Sequence, residues 1–270
     1  MKTTLNVENM QCAHCVNTIN NTLLKINGVY GIEANIAAKR IVLDHTPDVD
    51  LNRVNAKLKE MGYPAIGTTD KFEGKATGWD QNARRVAMAE SFVRRVMETI
   101  PILPEMRLMD FGCGTGLVGL QFAPYVKSLM MVDNSPAMLE VLKKKVADLE
   151  LNSEAIEFVS PGIGDMQTST VDVIVSSMTF HHIEDTASLL SQMYAKLTTG
   201  GYIAIADLVK EDGSFHDEAV PHNGFDEHDL CEQLSNVGFQ FVLCETFNQI
   251  KKETRKGEKE FPQFLIIAKK

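Results

Sequence analysis

Apolar positions recur along this chain in two rhythms, and their order separates it into two blocks. Residues 3–7 and 32–36 alternate apolar and polar side chains (Leu5, Val7; Ile32, Ala34, Ile36), and Ile41-Val42-Leu43 follows as a third short run. That spacing predicts three strands. Val16, Ile19 and Leu23 recur at helical spacing between the first two runs. Leu51, Val54, Leu58 and Met61 repeat the rhythm after Asp50, a suitable cap, and stop at Gly62. With a short last strand expected near Ala65-Ile66, the order is βαββαβ, a split βαβ sandwich. Gly67 to Gly78 is poor in large aliphatics and rich in Gly and Thr, a linker composition. The expected division is a domain at 1–67, a linker at 68–78 and a second domain at 79–270.

In the second block Val86, Ala89, Val93, Val96, Met97 and Ile100 describe an amphipathic helix stopped by Pro101. Short buried runs at 106–111, 128–133, 155–159, 171–178 and 202–208 then alternate with helical stretches. These are Leu117 toward Ala123, a helix opened by Ser135-Pro136, one carrying Leu190, Met193 and Leu197, and one carrying Leu230, Leu234 and Val237. Two last strands, 239–246 and 263–269, flank a charged stretch without helical period, which suggests a hairpin with one antiparallel strand. The block reads as an α/β, doubly wound, mostly parallel seven-stranded sheet. Such sheets bind ligands at the carboxyl ends of their strands.

Charge and cysteine usage narrow the partners. Residues 1–66 hold seven Lys/Arg and six Asp/Glu, a net of +1, so the rest of the chain carries −10 against the total of −9. A nucleic-acid enzyme shows the opposite sign over its binding face, which disfavours that class. No apolar run approaches the roughly 18 to 20 residues that span a bilayer, and the start lacks the pattern of a secretory signal. A cytoplasmic location is expected. Five cysteines without framework spacing point to metal or redox chemistry for a close pair and not to disulfides.

That close pair is Cys12 and Cys15, at the junction of the first strand and first helix, where the positive helix end favours thiolates. Thiolates suit Cu(I), Zn(II) and heavier soft metals. Thioredoxin-like redox motifs share the spacing, but their Trp and Pro are missing here, and no second Cys-x-x-Cys completes a four-thiolate zinc site. A domain with free thiols stays open, and His14 is weighed as a third ligand or a plain surface residue. Cys113, Cys231 and Cys244 read as small core residues.

Asp110-Phe-Gly-Cys-Gly-Thr-Gly116 forms a glycine turn after a buried strand. The dinucleotide fingerprint fails because its third glycine place falls on Leu117, and no Lys-Ser/Thr follows as a phosphate loop requires. Asp133 ends the next strand 23 positions after Asp110, where a carboxylate can accept both hydroxyls of a ribose. The glycines at 112, 114 and 116 let backbone approach a ligand that carries no phosphate.

Residues 3 to about 67 resemble the heavy-metal-associated domain of copper chaperones and metal-pumping ATPases. The match rests on Met10, Cys12, Cys15, the Asn27-Gly28-Val29 turn and the Gly62-Tyr63 pair, and it implies a ferredoxin-like fold. It also implies that Cys12 and Cys15 bind the metal while Met10 packs beneath the loop. Tyr63 resembles the bacterial form.

Residues 79–270 resemble the class I S-adenosylmethionine-dependent methyltransferases. The motifs are Asp110 to Gly116, Val132 to Leu139, Ser176 to His182, and the Leu197-Thr-Thr-Gly200-Gly201-Tyr202 turn. The resemblance implies a Rossmann-like fold in which Asp110 and Gly112 flank the methionine end, Asp133 holds the ribose, Asn134 and Met138 lie near the adenine, and Met178 borders the methyl group. Many relatives place an Asp after the third strand; here the nearest position is Ser160, and Asp165 is the one carboxylate in that loop.

A methyl transfer asks little of side chains beyond placement, which alone supplies about 7 to 11 kcal/mol. A base is needed when the acceptor must lose a proton, and His181, His182 and His222 are candidates, with His182 preferred. Trp79 either closes over the cofactor or anchors the linker.

The expected activity is methyl transfer from S-adenosyl-L-methionine to a small-molecule acceptor, with a soft ion, Cu(I) or Zn(II), on the first domain. A metal donor or acceptor protein is a further partner. Two other readings are a metal-handling or metal-sensing protein with a non-catalytic fold, and a metal or metalloid methyltransferase, the latter disfavoured by the scarcity of thiols near the glycine loop.

Overall fold

The computed structural model describes residues 2–7, 9–46, 49–65, 72, 74–159, 170–254 and 257–270, the side chain of Asn52 aside. Two compact units divide the chain, residues 1–71 and 72–270.

In the first unit, β1 (Lys2–Asn6), α1 (Ala13–Leu23), β2 (Val29–Asn35), β3 (Arg40–His45) and α2 (Leu51–Glu60) follow the expected order. The three strands form an antiparallel sheet in the order β1-β3-β2. Alternation decides the face: Ile41, Leu43 and His45 of β3 are buried, while the residues between them are not. Ile19 and Leu23 of α1, and Val54 and Leu58 of α2, close on that face with Leu5 and Val7. A fully buried Leu contributes roughly 1.5 to 3 kcal/mol, so this cluster carries the small unit. The expected last strand is not formed at Ala65, and Ile66 lies outside the described residues.

The second unit opens with a 3-10 turn over Ala76–Gln81, which begins in the stretch expected as linker and runs into the expected second domain. Helix α3 (Ala83–Thr99) follows, capped by Asn82, whose Oδ1 accepts from the amides of Arg84 and Arg85. Then come β4 (Arg107–Phe111), α4 (Gly119–Phe122), β5 (Ser128–Val132), α5 (Pro136–Asp148), β6 (Ile156–Val159), β7 (Val171–Ser177), α6 (Thr186–Lys196), β8 (Leu197–Leu208), α7 (Glu227–Val237), β9 (Gln240–Thr254) and β10 (Gly257–Lys269). Sheet order is β6-β5-β4-β7-β8-β10-β9, with β10 antiparallel to both neighbours. Successive residues feed opposite cores, Leu108 one layer and Met109 the other, which is why these strands read as continuous apolar runs.

Two boundaries differ from expectation. Leu197 begins β8 and does not end α6, because the strand continues through a register shift, with Gly200 at φ +83°. The charged stretch before residue 263 is itself strand: β9 and β10 pair Lys251 with Glu260 and Lys252 with Lys259. Among the described residues no helix is long and apolar enough to cross a membrane.

Candidate functional site

In the first unit, Cys12 is the N-cap of α1 and Cys15 lies in its first turn, which sets their Sγ atoms 3.4 Å apart. Cys12 is exposed and Cys15 buried. The Gln11 backbone, then the Tyr63 hydroxyl and Cys12, hold the Cys15 thiol down at about 6, so it is largely ionised at neutral pH. Met10 packs in the core below, and the Lys39 ammonium donates to its carbonyl at 2.9 Å. His14 is exposed, and among the described residues no group of three or more His, Cys, Asp or Glu is arranged to hold a metal. Two thiols are therefore the donor set on offer, which fits a soft ion content with few ligands.

In the second unit the glycine loop leaves β4 at Phe111 and is stitched to β5, since the amides of Gly112 and Cys113 both donate to the Val132 carbonyl. Gly112, Gly114 and Gly116 have φ of +74°, +52° and +82°. A Cβ on Gly112 would lie 2.1 Å from Thr179 Oγ1, and one on Gly116 would lie 2.5 Å from Leu142 Cδ1. On Gly114 it would meet only Met138 Sδ, at 3.9 Å. Gly112 and Gly116 are thus required by packing, whereas Gly114 turns its bare Cα to open space.

Asp133, directly after β5, accepts from the Gly114 amide at 2.7 Å through Oδ2 and from the Ser135 amide at 2.8 Å through Oδ1. Asn134 is exposed beside it, and Met138 is buried in the first turn of α5. Asp110 is buried beneath the loop, where Oδ2 accepts from the Gly119 amide at 2.8 Å. Burial, with a smaller push from Asp133, raises its carboxyl to about 7. The loop is braced from outside by Asp80, which accepts from the Thr115 hydroxyl at 2.6 Å and pairs with Lys145, whose ammonium also donates to the Thr115 carbonyl. Trp79 lies under the Arg85 guanidinium, 3.6 Å from its ring centroid, with Phe72 against it edge-on.

Thr179, packed on Gly112, joins this loop to the end of β7. Met178 there holds φ +56°, uncommon for a side chain of its size, with its amide donating to Ala206. A turn over Phe180–His182 follows. His181 is fully buried and its Nδ1 lies 2.7 Å from Oδ1 of the equally buried Asp207. Its Nε2 lies 3.1 Å from Nε2 of the exposed His182. Since a carboxylate only accepts, Nδ1 of His181 carries a proton toward Asp207, and the two Nε2 atoms share one hydrogen bond. His216 closes the group, its ring 4.4 Å from His181, and burial lowers it to about 4. His222 is engaged otherwise: its amide donates to the His181 carbonyl and its ring to the Glu184 carbonyl.

Asp110, Gly112, Gly114, Gly116, Asp133, Asn134 and Met138 are therefore grouped at the ends of β4 and β5, with Met178, His181 and His182 one strand away. Ser160 and Asp165 lie outside the described residues. Asp80, Asp207 and His216 escaped the sequence analysis. For Asp207 the signal was a lone carboxylate inside the apolar run 203–208. Cys113 is buried as expected, but Cys231 on α7 is half-buried and Cys244 is exposed, the latter because β9 is the outermost strand and residues of it face solvent.

Comparison with known proteins agrees with this division. The heavy-metal-associated domain profile matches residues 4–64. An uncharacterized methyltransferase of Schizosaccharomyces pombe is 30% identical over 149 residues, 49% of this chain and 52% of that protein. The chain thus spans about half the length of that relative. A carboxy-S-adenosyl-L-methionine synthase of Vibrio campbellii is 24% identical over 71% of this chain and 76% of its own length. The crystal structure of an S-adenosylmethionine-dependent methyltransferase from Aquifex aeolicus shares the fold at a TM-score of 0.54 and 19% identity, over 73% of this chain and 97% of that one. The methyltransferase domain profile matches residues 79–244, and the chain belongs to that family.

Proposed function

We propose that the second unit transfers the methyl group of S-adenosylmethionine to a small-molecule acceptor, while Cys12 and Cys15 of the first unit hold a soft ion, Cu(I) before Zn(II). The observation that carries the first part is Gly114, left-handed and open-faced between Asp133 and Met138. The positive φ alone favours glycine there, and the open face beside Asp133 also leaves room for a nucleoside laid against the backbone. Bound there, S-adenosylmethionine supplies a methyl group already activated by its positive sulfonium. Asp133 would accept the ribose hydroxyls, Met138 would lie against the adenine, and Asp110, with the backbone of Gly112, would flank the methionine end.

His182, the exposed member of the histidine pair, would take a proton from an acceptor that must lose one. Asp207 would be a positioning residue, holding the His181 ring through Nδ1 and so the ring against which His182 packs. The acidic balance of the second unit supports a small molecule over nucleic acid as acceptor. For the ion, the paired thiols with Cys15 held ionised support Cu(I), which is satisfied by two thiolates. A lysate supplied with methyl-labelled S-adenosylmethionine and the purified protein tests the activity. Label in a low-mass product is expected, and label found only in nucleic acid, or nowhere, would refute it.

A further inference from the structure

A second dithiol lies on the methyltransferase unit. Cys231, in α7, and Cys244, in β9, face each other with Sγ atoms 3.5 Å apart, almost the separation of Cys12 and Cys15. Both line a surface cavity of about 460 Å³ together with Lys210, Glu227 and His228. Helical spacing places Glu227 and His228 on the same face of α7 as Cys231. The elements are already tied, since the Thr246 hydroxyl of β9 donates to Glu227 of α7 at 3.2 Å.

We propose that Cys231 and Cys244 form a second soft-metal site, a two-thiolate seat for Cu(I) independent of the site on the first unit. Metal–thiolate bonds of about 2.3 Å set two ligand sulfurs at most roughly 4.6 Å apart, so the present spacing accommodates an ion after small side-chain rotations. Zinc is disfavoured because its closed sites take four ligands, and among the described residues no group of three or more metal-binding side chains is arranged for one. On binding, two S–H bonds give way to two S–Cu bonds and both protons pass to solvent. The cavity wall also carries the Lys210 ammonium and the carboxylates of Asp226 and Glu227. A disulfide between the pair is the competing state. It needs a two-electron oxidant as well as a thiolate nucleophile, whereas metal binding needs no oxidant.

The test uses the full chain carrying Cys12→Ser and Cys15→Ser, which silences the first site. It is titrated anaerobically, under reductant, with Cu(I) presented as its bicinchoninate complex. Uptake of one equivalent with a rise in melting temperature is expected, as is loss of both on adding Cys231→Ser and Cys244→Ser. No uptake by the first variant, unchanged uptake after the second pair of changes, or a Cys231–Cys244 disulfide that persists under the reductant would overturn the site. Circular dichroism checks the fold of each variant, and Cys244→Ser alone, at an exposed position, gives the same comparison if the paired change unfolds the chain. Failure of Cys12 and Cys15 to bind Cu(I) in the converse variant would bear on the first site alone.

Discussion

Gly114→Ala and Gly112→Ala separate a ligand-facing glycine from a packing glycine. At Gly114 the added methyl meets only Met138 Sδ at 3.9 Å, so the cost to folding is that of one left-handed alanine, about 1 to 2 kcal/mol. In a unit of this size that is roughly 2 to 8 °C in melting temperature. At Gly112 the same backbone penalty is joined by a methyl placed 2.1 Å from Thr179 Oγ1. Thr179 cannot swing away freely, because its hydroxyl donates to the Ser177 carbonyl at 3.2 Å. Overpacking adds about 1 to 3 kcal/mol, for a total of roughly 2 to 5. Ligand affinity should move the other way. The Gly114 methyl occupies space that the nucleoside needs, so Gly114→Ala is expected to weaken S-adenosylhomocysteine by tenfold or more, about 1.4 kcal/mol. Thermal unfolding and calorimetric titration of both variants provide the comparison. Wild-type affinity in Gly114→Ala, or a melting loss equal to that of Gly112→Ala, would refute the assignment of Gly114 to the cofactor.

Asp110→Asn keeps an acceptor for the Gly119 amide while removing a buried titratable group. Because burial raises the Asp110 carboxyl from 3.8 to about 7, its favourable contribution is complete below pH 3.8 and is lost as pH rises toward 7. Urea unfolding between pH 4 and pH 8 should therefore show a downward component in wild type that is absent in the variant; identical profiles would contradict the burial argument. His182→Ala should lower turnover about a hundredfold with cofactor affinity unchanged, if the acceptor loses a proton in the transition state; unchanged turnover would reassign His182 to packing. Removing metal with a thiol-tolerant chelator should leave turnover of the full chain within about twofold, because positioning and a proton acceptor are all the transfer requires. A large loss would show that metal occupancy controls the active site.

The glycine turn, the acidic strand end and the Cys-x-x-Cys junction were legible because each needs particular residue types at fixed spacing. The alternating αβ order was legible because strands buried on both faces read as apolar runs bounded by turns. What escaped depends on contacts distant in sequence. Asp80 looks like an ordinary turn residue until Thr115 and Lys145 converge on it. Cys231 and Cys244 are thirteen positions apart, on a helix and a strand, and only the register of β9 brings their sulfurs together. The β9–β10 hairpin was expected, but its outer half was hidden because it pairs charged side chains, Lys251 with Glu260, and has little apolar alternation to mark it. Leu197 kept helical spacing with Leu190 and Met193, but local periodicity yielded to pairing with Val171.

Under the proposed function, Asp133 and the glycine loop hold S-adenosylmethionine. Calorimetry of the full chain with S-adenosylmethionine, S-adenosylhomocysteine and NAD tests it most directly. Binding of the first two and not the third is expected, with Asp133→Ala weakening both by about 1 to 3 kcal/mol because the ribose hydroxyls lose their acceptor. No heat with either adenosyl ligand, a preference for NAD, or undiminished affinity in Asp133→Ala would contradict it.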